Sequence, residues 1–341
     1  MRLLLVSTYE LGHQPLGLAW PAGLCLGSGH EVACLDLSVQ PFDHGLADWA
    51  DVAAFSVPMH TAARLALAAA RRLRRRRPDV PVAFYGLYAR PAALAFGPQT
   101  PAFEAEQEAG LASWAAGHPA QVPASALPAR HLLPPLDRYA RLLAGGGQRL
   151  AASVQASRGC SHRCRHCPVP VSYDGRTRKV ALEAVLADVA QVVAMGAGHV
   201  SFADPDFLNR PWHSLAVVEE MHSAFPELSF DFTAKVSHLV RHQGLLARLA
   251  SCGALFAVTA VESLNDSVLA RLDKGHTAAE AAEAVELLRR HGIEPRPSFV
   301  PFTPWTRPGD VLDVFDFVAA HRLVGNVDPV QYSIRLLVPP G

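Results

Sequence analysis

The chain has 341 residues, with Lys+Arg and Asp+Glu both at 31 and a formal net charge of zero. Half of the residues are hydrophobic, enough for two sizeable cores, yet no apolar run approaches the roughly 20 residues of a membrane span. The balanced charge argues against nucleic acid as a partner.

The opening MRLLLVSTYELG begins like a signal peptide but lacks the apolar length and the small-residue cleavage site. LLLV reads instead as a buried first strand, and a cytoplasmic location is expected. Short apolar runs at LLLVS (3–7), EVACLDL (31–37), VAAFSV (52–57) and VPVAFYG (80–86) are bounded by Gly, Pro or Asp. Segments of helical composition, Pro21–Gly29 and Thr61–Arg77, lie between them. Strands alternating with helices predict a doubly wound, Rossmann-like parallel sheet over residues 1–95. The run RRLRRRRP (71–78) closes the second of these helices, where cations suit the negative end of the dipole, and reads as a solvated helix end.

Residues 96–150 are rich in Pro, Ala and Gly and read as a connector. From 151 to 341 the alternation resumes with a longer beat. Strands are expected at 151–157, 198–203, 228–234, 255–262, 296–302 and 330–337. Helices are expected at 181–195, 211–224, 239–251, 277–291 and 309–322. This pattern predicts a partial (β/α)6 barrel, whose chemistry belongs at the C-terminal ends of the strands.

Directly after the first of these strands comes ASRGCSHRCRHCPVP, in which Cys160, Cys164 and Cys167 follow a C-x3-C-x2-C spacing. Six cysteines in a large chain of this expected location point to metal binding or catalysis rather than a disulfide framework. Cys25, Cys34 and Cys252 stand alone, and Cys252 reads as a small core residue. A zinc site needs four ligands, and His162 and His166 sit in the same short loop, where completing a tetrahedron would strain it. An iron–sulfur cubane suits the count better, because three thiolates leave one iron open to a ligand. Arg158, Arg163 and Arg165 are expected to offset the thiolate charge. Spacing alone leaves both the cluster and zinc open.

CSHRCRHC resembles the signature of the radical S-adenosylmethionine enzymes, with His166 at the position that is aromatic in that family and near the adenine. HVSFADPDF (199–207) resembles the second-strand motif that holds the amino group of S-adenosylmethionine, with Ala203, Asp204 and Asp206 in place of the usual Gly-Gly-Glu. AVTAVESLNDSVLARLDKGH (257–276) resembles the fourth strand of cobalamin-type members, which implies cofactor contacts for Glu262 and Ser263. PSFVPFTPWT (297–306) implies contacts of Phe299 and Thr303 with the adenosyl group or substrate. Glu262 and Lys235 are the candidate catalytic residues. Plainer roles stand beside these: Asp204, Asp206 and Ser263 are also good helix caps, Lys235 could merely flank its strand, and Trp305 could simply pack.

The resemblance implies a 4Fe–4S cluster on Cys160, Cys164 and Cys167. It also implies bound S-adenosylmethionine, an electron donor such as flavodoxin or ferredoxin, and a small-molecule substrate, with no nucleic acid and no membrane. PLGLAWPAGLCLGSGHEVACLDLS (15–38) and DVAAFSVPMHTAARLA (51–66) resemble a cobalamin-binding domain, so cobalamin is a further candidate. However, the D-x-H-x-x-G motif that would supply a His to cobalt is absent, and Asp43-His44-Gly45 has the wrong spacing. DPDFLNRP, FTPWT and VDPVQYSIRLLVPPG resemble the CUAEP/CCAEP-tail radical SAM proteins. The cysteine or selenocysteine tail of that group does not occur in these 341 residues, so the expectation is either a shortened chain or a protein without it. The reaction that the resemblance implies is reductive cleavage of S-adenosylmethionine. Alternatives are aminocarboxypropyl transfer to a soft-element acceptor such as arsenite, cobalamin-dependent methyl transfer, or a zinc-binding interaction module.

Overall fold

The computed structural model describes residues 1–105, 108–120 and 126–336. The chain divides into two compact units, Met1–Val154 with Leu186–Gly198, and Gln155–Val185 with His199–Gly341. No helix among the described residues is long and apolar enough to cross a membrane.

The first unit alternates β1 (Arg2–Ser7), α1 (Leu16–Gly27), β2 (Glu31–Asp36), α2 (His44–Trp49), β3 (Val52–Ser56), α3 (His60–Arg76), β4 (Val82–Tyr85), α4 (Ala89–Phe96), β5 (Ala102–Phe103) and α5 (Glu108–Ala116). All pairings are parallel and the order is β2-β1-β3-β4-β5. This is the doubly wound arrangement that reverses direction beside its first strand. Leu3, Leu4, Leu5 and Val6 are all buried, because helices cover both faces of a parallel sheet and every position of a central strand is internal. The antiparallel hairpin β6 (Arg141–Ala144) and β7 (Gly147–Val154) completes the unit.

Helix α1 starts five residues before the expected position and carries Pro21 inside it. Proline has no N–H to give to the carbonyl four residues back, which is that of Gly17. The Tyr85 hydroxyl donates to this carbonyl instead, at 2.6 Å. A side chain at Gly17 would collide with Ser56 and Glu10. The helix can therefore begin at Leu16 because its neighbours on the sheet repair the defect.

Arg130 is 1% exposed and holds the former connector in place. It donates to both carboxylate oxygens of Asp188 (2.9 and 2.8 Å), to Gln14 Oε1 (3.0 Å) and to the Ser153 carbonyl (2.6 Å). The arginine run at the end of α3 is a solvated surface, as expected, with Arg76 paired to Asp48 and Arg77 to Asp79.

The second unit opens with β8 (Ser157–Gly159), α6 (Val169–Tyr173) and β9 (Thr177–Lys179). After α7 (Leu182–Ala194) come β10 (His199–Phe202), α8 (Pro211–Ala224), β11 (Ser229–Ala234), α9 (Val236–Arg241), α10 (Leu246–Ser251), β12 (Ala254–Glu262), α11 (Asp266–Arg271), α12 (Ala278–Arg290), β13 (Glu294–Phe299) and α13 (Pro308–Ala320). Strands β10 to β13 pair in sequence order, all parallel. The fold is a doubly wound α/β domain followed by a partial (β/α) barrel.

Three expected elements differ. The strand expected over 151–157 is β7, which ends at Val154, while Ser157–Gly159 forms β8 and pairs antiparallel with β9. The helix expected over 239–251 is broken into α9 and α10 around His242 and Gly244, where a short 3-10 turn runs Gln243–Leu245. The sixth strand, expected over 330–337, is a 3-10 turn at Pro329–Ser333 followed by one parallel bridge, Phe302 to Arg335. Pro329, with its fixed φ and missing donor, starts that turn; residue 337 lies outside the described residues.

Along β12 the side chains of Ala257, Thr259 and Val261 are fully buried, while Phe256, Val258 and Ala260 are half-buried on the other face. A register shift between Ala260 and Glu262 ends this alternation and turns Glu262 to a positive φ of 67°.

Candidate active site

The cysteine loop is held by backbone geometry and by contacts from the segment that follows β10 and from the end of α11. Gly159, the residue before Cys160, has φ +74°, and a Cβ there would collide with the Arg176 carbonyl and the Tyr173 ring. The position therefore requires glycine on two counts. Asp204 accepts from the Ala156 N–H (2.9 Å) and the Ser157 hydroxyl (2.5 Å). Asn209 Oδ1 accepts from the Ser161 N–H (3.1 Å) and hydroxyl (2.6 Å), and lies 4.0 Å from Cys160 Sγ. The Arg165 N–H reaches the Leu272 carbonyl, and the Cys167 N–H that of Cys164.

All three loop thiols are unpaired; Cys160 and Cys164 are buried and Cys167 is half-buried. Burial pushes the thiols of Cys160 and Cys167 up, so metal coordination would be what ionises them. The cation beside them is Lys235, whose Nζ is 3.6 Å from Cys164 Sγ. Arg163 pairs with Asp174 in solvent, and Arg165 is exposed. Arg158 donates to Gln155 Oε1 at 3.1 Å, and the charge placed at Cys164 comes from the end of β11.

The thiols also bear on which metal fits. Among the described residues, the three-residue group with ligand atoms all within 4.8 Å of one another is His162, Asp206 and His238. The three cysteine sulfurs do not all lie within 4.8 Å of one another, whereas one zinc with bonds of about 2.3 Å holds sulfurs about 3.8 Å apart. Three free thiols, two of them buried, with a lysine beside one of them fit a cluster that takes one thiolate per iron.

Opposite the loop, Glu262 is buried and Lys274 Nζ lies 3.1 Å from its Oε1, with His166 Nε2 at 3.3 Å from the same oxygen. Burial alone would raise this carboxyl. The hydrogen bond from His166 and the charge of Lys274 outweigh it and hold Glu262 down to about 2. A left-handed backbone at a buried glutamate is strained, and such strain collects at functional sites. His276, from the same turn, reaches the Val261 carbonyl (3.2 Å) and is pushed down to about 4 by burial and Lys274.

Several expected residues sit otherwise. Asp204 is committed to the backbone and Ser157, and burial pushes it up to about 7. Asp206 caps Leu208 (3.1 Å) and directs its other oxygen toward His238 Nδ1, 2.8 Å away. Ala203 is exposed at the end of β10. Ser263 is buried and accepts from the Asn265 N–H at 3.1 Å. Phe299 faces the core against Phe317, and Thr303 bonds Thr306 within its own turn. The fold therefore joins Cys164 with Lys235, and His166 with Glu262. Lys274, His238 and Asn209 were not singled out from the sequence, although His238 and Asn209 fall within seven residues of a strand end, in KVSH and FLNRP, and Lys274 follows α11 in KGH.

A family model described as "Radical SAM superfamily" matches residues 154–318. Among curated proteins, the chain is 28% identical over 153 residues to tRNA-2-methylthio-N(6)-dimethylallyladenosine synthase of Pelodictyon phaeoclathratiforme, covering 41% of this chain and 33% of that protein. The chain thus spans about a third of the length of this curated relative. Among solved structures, it is similar to the radical S-adenosylmethionine methyltransferase TsrM from Kitasatospora setae with cobalamin and [4Fe-4S] cluster bound. The TM-score is 0.70 and the identity 18%, covering 94% of this chain and 70% of that one. It is also similar to the cobalamin-dependent S-adenosylmethionine radical enzyme OxsB with aqua-cobalamin bound, with TM-score 0.65, identity 16%, and coverage of 93% and 52%. At these identities the two structures show the shared fold.

Proposed function

Residues 154–318 match the radical SAM superfamily model, and we propose that the chain is an enzyme of that kind, which holds a 4Fe–4S cluster on Cys160, Cys164 and Cys167 and uses it to cleave S-adenosylmethionine reductively. The observation that carries this reading is the set of three free thiols in one loop, with Lys235 beside Cys164 and Glu262 reached by His166 of the same loop. When bound, the cluster and S-adenosylmethionine supply a one-electron break of a carbon–sulfur bond.

The chain's own residues hold and shield that chemistry. Gly159, Asn209 and Asp204 fix the loop so that the thiols need no rearrangement to ligate. Lys235 places a positive charge at Cys164. Glu262, ionised at neutral pH, offers a carboxylate to a cationic group such as an ammonium or to ribose hydroxyls, with Ser263 beside it in sequence. Lys274 and His166 keep it charged while the site is closed to water. An electron donor such as flavodoxin or ferredoxin, a small-molecule substrate and a cytoplasmic location complete the reading.

A second reading, cobalamin-dependent methyl transfer, is supported by the likeness of nearly the whole chain to two cobalamin-bound structures. The first unit presents the same doubly wound sheet, but no D-x-H-x-x-G histidine for cobalt. If cobalamin binds, it does so without that ligand.

Anaerobic reconstitution with iron and sulfide, reduction, and identification of the S-adenosylmethionine fragments test both. 5′-Deoxyadenosine indicates the usual break and methylthioadenosine the aminocarboxypropyl alternative. A corrinoid retained through gel filtration supports the second reading. Zinc in the cysteine loop without acid-labile sulfide would sink the proposal.

A further inference from the structure

Beside the cysteine loop, and distinct from its thiols, three side chains meet that the proposed chemistry does not use. His162 lies between Cys160 and Cys164, His238 is in α9, and Asp206 follows β10. His162 Nε2 is 3.0 Å from His238 Nε2 and 3.9 Å from Asp206 Oδ2, while His238 Nδ1 is 2.8 Å from that same oxygen. Asp206 and His238 side chains are 1% and 7% exposed.

The close Asp206–His238 approach is not an ordinary hydrogen bond. Asp206 Oδ2 and His238 Nδ1 both lack a partner of acceptable hydrogen-bond geometry, although they lie 2.8 Å apart. Buried polar atoms are rarely left this way, and an ion is one of the recognised reasons. The separations suit one. With His238 ligating through Nδ1, bonds of about 2.1 Å span its 2.8 Å separation from Asp206 Oδ2 and the 3.9 Å separation of His162 Nε2 from that oxygen at angles of about 84° and 136° at the metal, and one ligand atom from each of the three residues lies within 4.8 Å of the others.

We propose that His162, Asp206 and His238 form a mononuclear site for a divalent first-row transition ion, separate from the cluster. Two imidazoles and one carboxylate suit zinc, iron(II) or cobalt(II) and disfavour calcium or magnesium, which take oxygen ligands. Three protein ligands leave at least one position for water or another ligand. Because His162 is in the cysteine loop, the ion ties that loop to α9 and to the end of β10. The site does not depend on cleavage of S-adenosylmethionine and stands or falls separately from it.

The test is zinc(II) added to anaerobically reconstituted full-length protein, followed by desalting and elemental analysis. One zinc per chain is expected, with iron and sulfide unchanged, and the zinc absorption edge should fit nitrogen and oxygen ligands alone. H238A and D206N should each weaken zinc binding by more than the roughly 10–100-fold that loss of an outer partner costs. C160A/C164A/C167A should keep the zinc with the same ligand set. No zinc beyond the iron, sulfur in its shell, or unchanged affinity in both H238A and D206N overturns the proposal. The edge measurement needs no variant, so a misfolded substitution does not blunt the test.

Discussion

Lys274 Nζ lies 3.1 Å from Glu262 Oε1 with both residues buried. A buried carboxylate without a partner is costly, and removing one member of a buried pair leaves the other uncompensated. K274M should therefore destabilise the chain by about 3 kcal/mol, the low end for a buried pair because His166 remains. Urea unfolding of the variant against the parent checks it, and an unchanged midpoint would contradict the pairing.

The same pair sets an acid limit. Glu262 is held down to about 2 against an ordinary 4.5: burial opposes the shift, while His166 and Lys274 more than reverse it. A depressed carboxyl contributes stability that is full above the unfolded value and is lost as pH falls through the folded one. Stability should thus fall between about pH 4.5 and 2, and E262Q should flatten that part of the curve. Thermal midpoints measured across this range for both proteins decide the matter; parallel curves would remove Glu262 from the explanation.

Lys235 should tune the proposed cluster electrostatically. Its ammonium stands 3.6 Å from Cys164 Sγ, where it favours added negative charge, and charge and hydrogen bonding at the sulfurs set the potential of such clusters. K235M should lower the midpoint potential, by on the order of 60 mV, the one-electron equivalent of a tenfold change. EPR-monitored potentiometry at matched iron content provides the readout. A purely structural role would instead lower iron content and leave the potential where it was.

Much of this arrangement was legible because its causes are local. Strands β1 to β4 announce themselves as short apolar runs, since a strand covered on both faces must be apolar throughout. The cysteine spacing is local too, and so is His166 within it. What was not legible depends on partners far along the chain. The early start of α1 needs Tyr85 to serve the Gly17 carbonyl, and nothing in residues 16–21 states that this hydroxyl will arrive. The loop arginines looked like the natural counterions, but the fold sends Arg163 to Asp174 and brings Lys235 from the end of β11. His238 and Lys274 acquire meaning only once neighbouring strand ends are side by side.

Gly159 should be intolerant of substitution. At φ +74° a Cβ would strain the backbone and also meet the Arg176 carbonyl. A left-handed non-glycine costs of order 1–3 kcal/mol before any collision. G159A should therefore displace Cys160 and lower iron and sulfide per chain after reconstitution. Incorporation equal to the parent's would mean that the loop is free to adjust.

Arg130 is the strongest candidate for a stability determinant in the first unit. Its guanidinium is 1% exposed and donates to Asp188 through two nitrogens, with Gln14 and the Ser153 carbonyl taking the remaining bonds. R130M removes every one of these and leaves Asp188 as a buried, unpaired carboxylate. Breaking such a pair on one side costs about 3–5 kcal/mol. R130M/D188L removes both charges, and a matched apolar replacement of a buried pair is often neutral. The double variant should recover much of the loss, although Gln14 and the Ser153 carbonyl still lose their donor. Urea unfolding of the parent, R130M, D188L and the double variant gives the coupling directly. If the double variant is as unstable as the sum of the singles, the two side chains act independently and the pairing is not what holds the segment.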